Sequence, residues 1–476
     1  MKSSENEAGK WISEVIPEEW EWIPFTDIFT DKTSSKKKLP QKSYQEKGKY
    51  IVVDQGQERV GGYSDQAELL YQGPLPIIVF GDHTRCVKYF DSRIIQGADG
   101  TKVLCSTDIS DSRFAYWALR AIDLPDKGYS RHFKFLKASY FPLPPLNEQR
   151  RIVAKIEELT AHSKRARAAL DEVPTLIEQF KQSVLAAAFR GDLTAEWREK
   201  NPDVEPAEKL LERIAEQNNK KIKIEHPNVE LQYEVPESWC WMKVKDIGDV
   251  SLGRQRSPKN HTGPYMRPYV RAANITWGGW DLSDVKEMNF DERDFKVFRL
   301  HPGDVLINEG SGSAHEVGKP AIWNDEISDC CFQNTLISVR PYAPMSNFLY
   351  YVFLNAALSK SFVKETRGVN IHHIGKKGLA NFVIPVPPLN EQAEIVRTLD
   401  IVLERVEDMT QQQKSSQSFL STLDQSILAR AFRGELVPQD PNDEPASVLL
   451  ERIRTEREKL EAIKKKKKRS SRKKAK

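Results

Sequence analysis

A run of forty-nine residues in this chain has a second, similar copy. The run from Pro145 to Leu193 returns from Pro388 to Leu436 without a gap, at an offset of 243. PPLNEQ at 144–149 matches PPLNEQ at 387–392, and Ala188-Phe189-Arg190-Gly191 matches Ala431-Phe432-Arg433-Gly434. Downstream, EPAEKLLERI (205–214) echoes EPASVLLERI (444–453); upstream, VIPEEWEW (15–22) echoes EVPESWCW (234–241). Self-similarity of this length is the mark of a duplicated structural unit, so one frame must be built twice.

Each repeated end predicts a single long helix. The proline pairs forbid helix before Leu146 and Leu389, Asn147 and Asn390 read as N-caps, and an acid follows in the first turn. Apolar residues then recur at 4-3 spacing: Ile152, Ile156, Leu159, Ala166, Leu170, Val173, Ile177, Phe180 and Val184. The second copy offers Ile395, Leu399, Val402, Val406, Met409, Leu420, Leu423 and Ile427. Both share one heptad register, which reads as a coiled-coil seam. Gly191 and Gly434 stop the helices at C′, while Pro174 bends the first without ending it. At 1.5 Å per residue, about 43 residues make a rod of roughly 60 Å. Two such rods bury their stripes most simply against each other. Antiparallel packing would bring Ser163 and Ala166 near Gln413 and Ser416, and would make a ruler with a head at each end.

The segments that fail to repeat, about 17–143 and 236–386, differ by 24 residues in length. Short β-branched and aromatic runs such as Tyr50–Val53, Pro76–Phe80, Pro268–Arg271 and Asp304–Ile307 predict mixed α/β heads. FAYWALRAI (114–122) and FLYYVFLNAAL (348–358) read as matching helices late in each head. Polar residues suited to base edges or phosphates cluster beside these runs. In the first head they are Gln55, Gln57, Arg59, His83, Arg85, Arg131, His132 and Lys134; in the second, Arg254, Arg256, Arg271, Asn274, Lys319, Arg367, Asn370, His372, His373 and Lys376. Arg pairs bidentately with guanine, Asn or Gln with adenine, and Lys meets phosphates.

Composition sharpens this reading. The net charge of +4 arises from residues 464–476, which carry ten Lys or Arg and no acid, so the rest of the chain stands at −6. A body of that sign binds DNA through local basic patches or with partners that supply charge. The like-charged tail is expected to be disordered. No apolar run is long enough for a membrane span, and the start lacks a secretory signal. Five scattered cysteines without CxxC spacing suit a reducing cytoplasm and oppose a zinc cluster. Catalytic motifs fail on inspection. Gly312–Lys319 has the wrong spacing for a phosphate loop, and Pro320 stands where the magnesium-binding hydroxyl belongs. There is no Asn-Pro-Pro-Tyr/Phe, G-x-S-x-G or H-E-x-x-H, and His372-His373 lacks the carboxylates or cysteines of a metal site.

Two variable segments, each followed by a PPLNEQ helix ending in A-F-R-G-[DE]-L, resemble the specificity subunit (HsdS) of type I restriction-modification systems. RPYVRAANI (267–275), PGDVLINEGSG (302–312) and GVNIHHI (368–374) resemble that family's target recognition domains; the first head lacks the G-D-[LV]-L and R-x-x-N-I signals. The resemblance implies an α+β fold, with two mixed α/β target recognition domains joined by two long antiparallel coiled-coil helices in a pseudo-twofold repeat. The expected segments are 1–145 and 235–388 (recognition domains), 146–191 and 389–434 (long helices), 192–234 (linker and short helix), 435–462 (C-terminal conserved segment) and 463–476 (tail). It implies a non-catalytic, cytoplasmic subunit that reads one half of a bipartite, asymmetric double-stranded DNA site with each head while the helices set the spacer. Two modification subunits would supply S-adenosylmethionine and adenine methylation, and two restriction subunits ATP-driven, Mg2+-dependent cleavage, with no cofactor on this chain. The competing readings are a coiled-coil adaptor whose heads bind proteins, and a self-contained methyltransferase or nuclease.

Overall fold

In each copy a proline pair decides where strand gives way to helix. Proline has no N–H and a helix-compatible φ, so it can open a helix without stranding a donor. The computed structural model, which describes residues 8–11, 15–128, 130–217, 233–311, 316–363, 372–456 and 459, has long helices at Leu146–Arg190 and Leu389–Ala431. They start two residues earlier than asparagine caps would place them, because the carbonyls of Pro145 and Pro388 accept the first bonds, from the N–H of Gln149 and Gln392. The side chains of these glutamines turn back as well, donating to Pro144 O at 3.0 Å and Pro387 O at 2.9 Å. The first helix runs through Pro174. Gly191 (φ 84°) and Gly434 (φ 77°) take the left-handed conformation just past the helix ends. A Cβ there would fall 2.6 Å from Pro236 Cγ or 2.3 Å from Pro17 Cγ, so both conformation and space demand glycine. The basic tail lies outside the described residues.

The chain divides into two compact units, Met1–Asp171 with Lys414–Lys476, and Glu172–Gln413. Each therefore takes the start of one long helix and the end of the other. In unit 1, Ile152 and Ile156 share a core with Ile427, Ala431 and Phe432 and with Trp20, Phe114 and Phe141 of the head. Arg167 meets Asp424 at 3.0 Å, and Gln417 donates to Asp171 at 2.8 Å, so numbering rises along one helix as it falls along the other. In unit 2, Leu185, Ala188 and Phe189 share a core with Ile395, Leu399, Trp239 and Phe348.

Burial along the helices corrects the strict heptad. Ile152, Ile156, Leu159, Leu170, Ile177, Ile395, Leu399, Val402, Val406, Leu420 and Ile427 are covered wholly or in part, but Ala166, Phe180, Met409 and Leu423 are exposed. Past Leu159 the half-buried Val173 keeps to the heptad, but the positions covered in both helices include Ser163, Arg167, Leu170, Ile177, Lys181, Val184 and Ala188. At the 243 offset these become Val406, Thr410, Gln413, Leu420, Asp424, Ile427 and Ala431, which are covered too. The stripe slips by one residue between Ser163 and Arg167, and between Val406 and Thr410, then resumes 4-3 spacing in the shifted register; one such slip supplies the extra residue by which a straight ~3.6-residue turn outruns a 3.5-residue repeat.

The heads, unlike in sequence, share a topology. The described strands of head 1 are β1 (Glu21–Pro24), β2 (Phe29–Asp31), β3 (Tyr50–Val53), β4 (Gly62–Ser64), β5 (Ile77–Gly81), β6 (Val87–Phe90), β7 (Ile95–Gln96), β8 (Thr101–Ser106) and β9 (Tyr140–Leu143). Head 2 has β10 (Cys240–Lys243), β11 (Gly248–Leu252), β12 (Met266–Val270), β13 (Ile275–Thr276), β14 (Gly279–Trp280), β15 (Lys286–Asn289), β16 (Val305–Asn308), β17 (Gly310–Ser311), β18 (Pro320–Ile322), β19 (Cys331–Phe332), β20 (Leu336–Pro341), β21 (His372–His373) and β22 (Val383–Val386). The main sheets run β2-β8-β5-β6 and β11-β20-β16-β18, and the small ones β4-β3-β7 and β15-β12-β19. Each small sheet holds one parallel pair, Val52 on Ile95 and Tyr269 on Cys331. Helices Ser112–Ala121 and Ser346–Leu358 follow β8 and β20, where the two aromatic runs predict them. Head 2 adds the β13–β14 hairpin, helix Glu292–Phe298 and the β17–β21 pair.

Candidate nucleic-acid interface

The repeated motifs build a frame. Trp20 Nε1 donates to Glu148 Oε2 at 3.0 Å, and Trp239 Nε1 to Glu391 Oε2 at 2.9 Å, so each W-x-W opening is pinned to the first turn of its own long helix. Both carboxylates are buried. Burial pushes the Glu148 carboxyl above its ordinary value, against hydrogen bonds from Trp20 and Gln439 that pull it down. Glu391 instead receives Thr194 Oγ1 at 2.7 Å and Arg198 Nη1 at 2.5 Å.

On this frame each head gathers the same four connections. In head 1, Gln55, after β3, accepts His83 N–H from the β5–β6 turn at 3.1 Å. Asp82 N–H donates to Gly100 O in the β7–β8 turn at 2.7 Å, and His132 N–H, ahead of helix Phe133–Lys137, donates to Asp82 O at 2.7 Å. Head 2 repeats the pattern. Ala272 N–H, after β12, donates to Thr335 Oγ1 in the β19–β20 turn at 3.0 Å. Glu309 N–H, after β16, donates to Thr335 O at 2.9 Å, and Ile374 N–H, ahead of helix Gly375–Asn381, to Glu309 O at 3.0 Å.

These connections sort the candidates. Gln55, His83, Arg131 and Lys134 come together in head 1, with Arg131 and Lys134 exposed. Gln57, Arg59 and Arg85 line a cleft of about 600 Å³ beside Tyr116 and Arg120. Arg59 donates there to Tyr89 O at 3.3 Å, and Arg85 pairs with Asp126 at 3.3 Å. In head 2, His373 is exposed and meets Glu309 at 3.0 Å, while Arg256 and Lys376 are exposed. Arg271 pairs with Asp284 at 2.7 Å, and that carboxyl is held below its ordinary value chiefly by the hydrogen bond from Lys286 and then by both cations. Arg367 and Asn370 lie outside the described residues, as does the side chain of His372.

Four candidates are corrected. His132 is buried, with Nδ1 on Asp82 O at 3.1 Å. Asn274 is buried, accepting Arg271 N–H at 3.0 Å and donating to Asp281 O at 2.9 Å, so the N of RAANI shapes a turn. Arg254 is a strut, paired with Asp294 and stacked 5.0 Å over Phe290. Lys319 is buried against Glu316. The D of PGDVL is structural too, since Asp304 accepts two hydrogen bonds from Arg340, at 2.6 and 2.7 Å. The sequence reading passed over Lys36, Lys37 and Lys38, whose loop is tied to the end of β7 by Ser34 N–H on Gln96 Oε1 at 3.0 Å and Leu39 N–H on Gln96 O at 2.9 Å. It also missed Trp277, exposed at the turn of the β13–β14 hairpin. Among the described residues no group of His, Cys, Asp or Glu is placed to hold a metal ion, and no helix is long and apolar enough to cross a membrane.

Two heads of one topology, presenting different polar side chains from equivalent loops, are carried on one duplicated frame. The chain belongs to the family of type I restriction modification DNA specificity domains, whose model matches residues 17–172 and 236–417. It is similar to the specificity subunit of the type I restriction enzyme EcoKI of Escherichia coli (strain K12), 26% identical over 329 residues, 66% of this chain and 63% of that subunit. The EcoBI subunit of Escherichia coli is 26% identical over 75% of this chain and 74% of its own length. The MjaVIII subunit of Methanocaldococcus jannaschii is 44% identical over 35% of this chain and 36% of its own. Among solved structures, the HsdS subunit from Thermoanaerobacter tengcongensis matches with a TM-score of 0.52 at 21% identity, over 89% of this chain and 99% of that one. A chain from work on complex assembly and conformational transition of the type I R-M system matches at 0.58 and 20% identity, over 89% of this chain and all of that one. At such identities these two structures establish the shared fold.

Proposed function

We propose that this chain is the non-catalytic DNA-specificity subunit of a type I restriction-modification complex in the cytoplasm. Head 1 reads one half of a bipartite, asymmetric site in double-stranded DNA and head 2 the other. The long helices set the spacer between the halves. Two modification subunits carry S-adenosylmethionine and methylate adenine, and two restriction subunits carry ATP and Mg2+. The observation that carries the reading is the equivalence of the four connections: topology is kept while exposed side chains change from Arg131 and Lys134 in head 1 to His373 and Lys376 in head 2, and on the further β2–β3 and β11–β12 connections from Lys36 to Arg256. Unlike readers on one frame suit unlike half-sites, whereas a palindrome needs identical ones.

The test is a head exchange. With residues 17–143 replaced by the first head of a relative of known site, the co-expressed complex should methylate a site altered in one half only. A methylated site unchanged by the exchange, mapped genome-wide, would refute DNA reading by the heads and leave protein-binding heads as the explanation. Inserting four residues, about 6 Å of helix, into both long helices should lengthen the spacer by roughly two base pairs.

A further inference from the structure

The duplication supplies an internal control for one pocket. In unit 1 the residue before helix Ser112–Ala121 is Asp111, whose carboxylate accepts the N–H of Arg113 at 2.9 Å and of Phe114 at 3.1 Å. Its own N–H donates to Gln149 Oε1 at 2.8 Å. A carboxylate at this place meets the unpaired N–H groups and the positive end of the helix dipole. In unit 2 the same place before helix Ser346–Leu358 is Met345, which offers no side-chain cap. Its N–H turns to Ala343 O at 2.7 Å. Gln392, the counterpart of Gln149, keeps its donor on Pro387 O, but its Oε1 is buried without a hydrogen-bond partner, in a side chain only 2% exposed.

The uncapped turn and Gln392 line one pocket of about 620 Å³. Its wall adds the apolar Leu389 and Val396 and Arg397, whose guanidinium is paired with Glu394 at 2.6 Å; its one carboxylate, Asp400, is engaged by the Tyr351 hydroxyl. The missing pieces are therefore an acceptor for the helix N–H groups and a donor for Gln392. A free anion brings acceptors only. An acidic residue within a polypeptide brings a carboxylate, a backbone N–H and apolar flanks. We infer that this pocket of unit 2 takes an acidic side chain of a partner polypeptide, its carboxylate on the helix N–H groups that Met345 leaves without a side-chain cap and its backbone N–H on Gln392 Oε1. The inference deepens the proposed function by giving one modification subunit a landing point, and in that respect rests on it.

The experiment uses the full chain with 15N-labelled Asn, Phe and Arg amides, titrated with N-acetyl-aspartate N-methylamide. The Asn347 and Phe348 amides should shift saturably, with acetate and the asparagine analogue at least about ten-fold weaker and the Arg113 and Phe114 amides unmoved. Met345→Asp, which rebuilds the unit 1 cap, should abolish the response. No saturable shift, or an equal one with acetate, would overturn the site. In a second arm, Met345→Asp should weaken association with the cognate modification subunit about ten-fold while Met345→Leu leaves it unchanged; equal binding by both variants overturns the partner assignment. If no modification subunit binds the wild-type chain but the aspartate probe does, the proposed function fails and the pocket stands.

Discussion

Glu148 in unit 1 and Glu391 in unit 2 receive the same tryptophan N–H at 3.0 and 2.9 Å, and beyond that bond the units part. The second oxygen of Glu148 takes a neutral donor, Gln439 Nε2 at 2.6 Å, from the segment after the second long helix. That of Glu391 takes the cation Arg198 and the Thr194 hydroxyl, from the segment after the first. The opening of each head is thus closed by a segment that follows the other copy's long helix. Phe432 lies 5.3 Å from Phe114 in unit 1, and Phe189 lies 5.8 Å from Phe348 in unit 2. The repeat boundary in sequence and the unit boundary in space cut the chain at different places, which ties both heads to both helices.

The largest effect expected from that arrangement is a crossed one. Phe189→Ala should cost about 3–5 kcal/mol, the usual toll of a buried aromatic, and should loosen residues 236–386 rather than 17–143. Phe432→Ala should do the reverse. Hydrogen exchange read by mass spectrometry separates the two, and loosening of the head that precedes the mutated helix in sequence would break the crossed assignment.

Next in size is the contrast between the carboxylates. Glu391→Gln leaves the mostly buried Arg198 without its counter-charge and should cost about 2–3 kcal/mol in denaturant unfolding. Glu148→Gln keeps one acceptor oxygen, for Trp20, and turns an NH2 toward Gln439, whose amide can flip to accept from it, so it should cost only about 1 kcal/mol. The pH dependence has a definite sign. Burial raises Glu148, so the native state holds this proton more readily than the unfolded chain does. Stability from that proton is present in acid and is lost as pH rises through the raised native value. Wild type should therefore lose ground to Glu148→Gln as pH climbs from acid to neutral, in melts of the two proteins side by side. A difference flat with pH would remove the buried charge from the account.

How much of this could be read beforehand depended on periodicity. The repeat, both long helices, the glycine stops and both head helices were legible because their patterns run for several turns. The common topology of the heads was not. Its strands are short, and equivalent positions carry unlike residues: Asp304, tied to Arg340, precedes Val305 at the start of β16, where head 1 has the buried Ile77 opening β5. Residue type also misled on His132 and Asn274, since a polar side chain reads alike whether it faces DNA or holds a turn. The run Lys36–Lys38 was visible as charge, but only the bonds from Ser34 and Leu39 to Gln96 bring it to the end of β7.

That lysine loop gives the next comparison. Lys37→Ala should weaken binding of the assembled complex by about 1 kcal/mol for every sequence alike and lower the salt slope by about one, as a phosphate contact does. A change of base preference would make Lys37 a base reader instead.

The smallest effect separates the straight-helix stripe from the heptad. Leu420 and Leu423 both lie on the heptad seam, yet Leu420 is 9% exposed and Leu423 is 36% exposed. Leu423→Ala should stay within about 0.5 kcal/mol of wild type, the range of ordinary surface changes, whereas Leu420→Ala should cost about 2 kcal/mol or more. Equal penalties at the two sites would mean that the helices pair as a supercoiled heptad after all. The slip after Leu159 would then have to be given up, and with it the reason why Met409 and Phe180 stand in solvent.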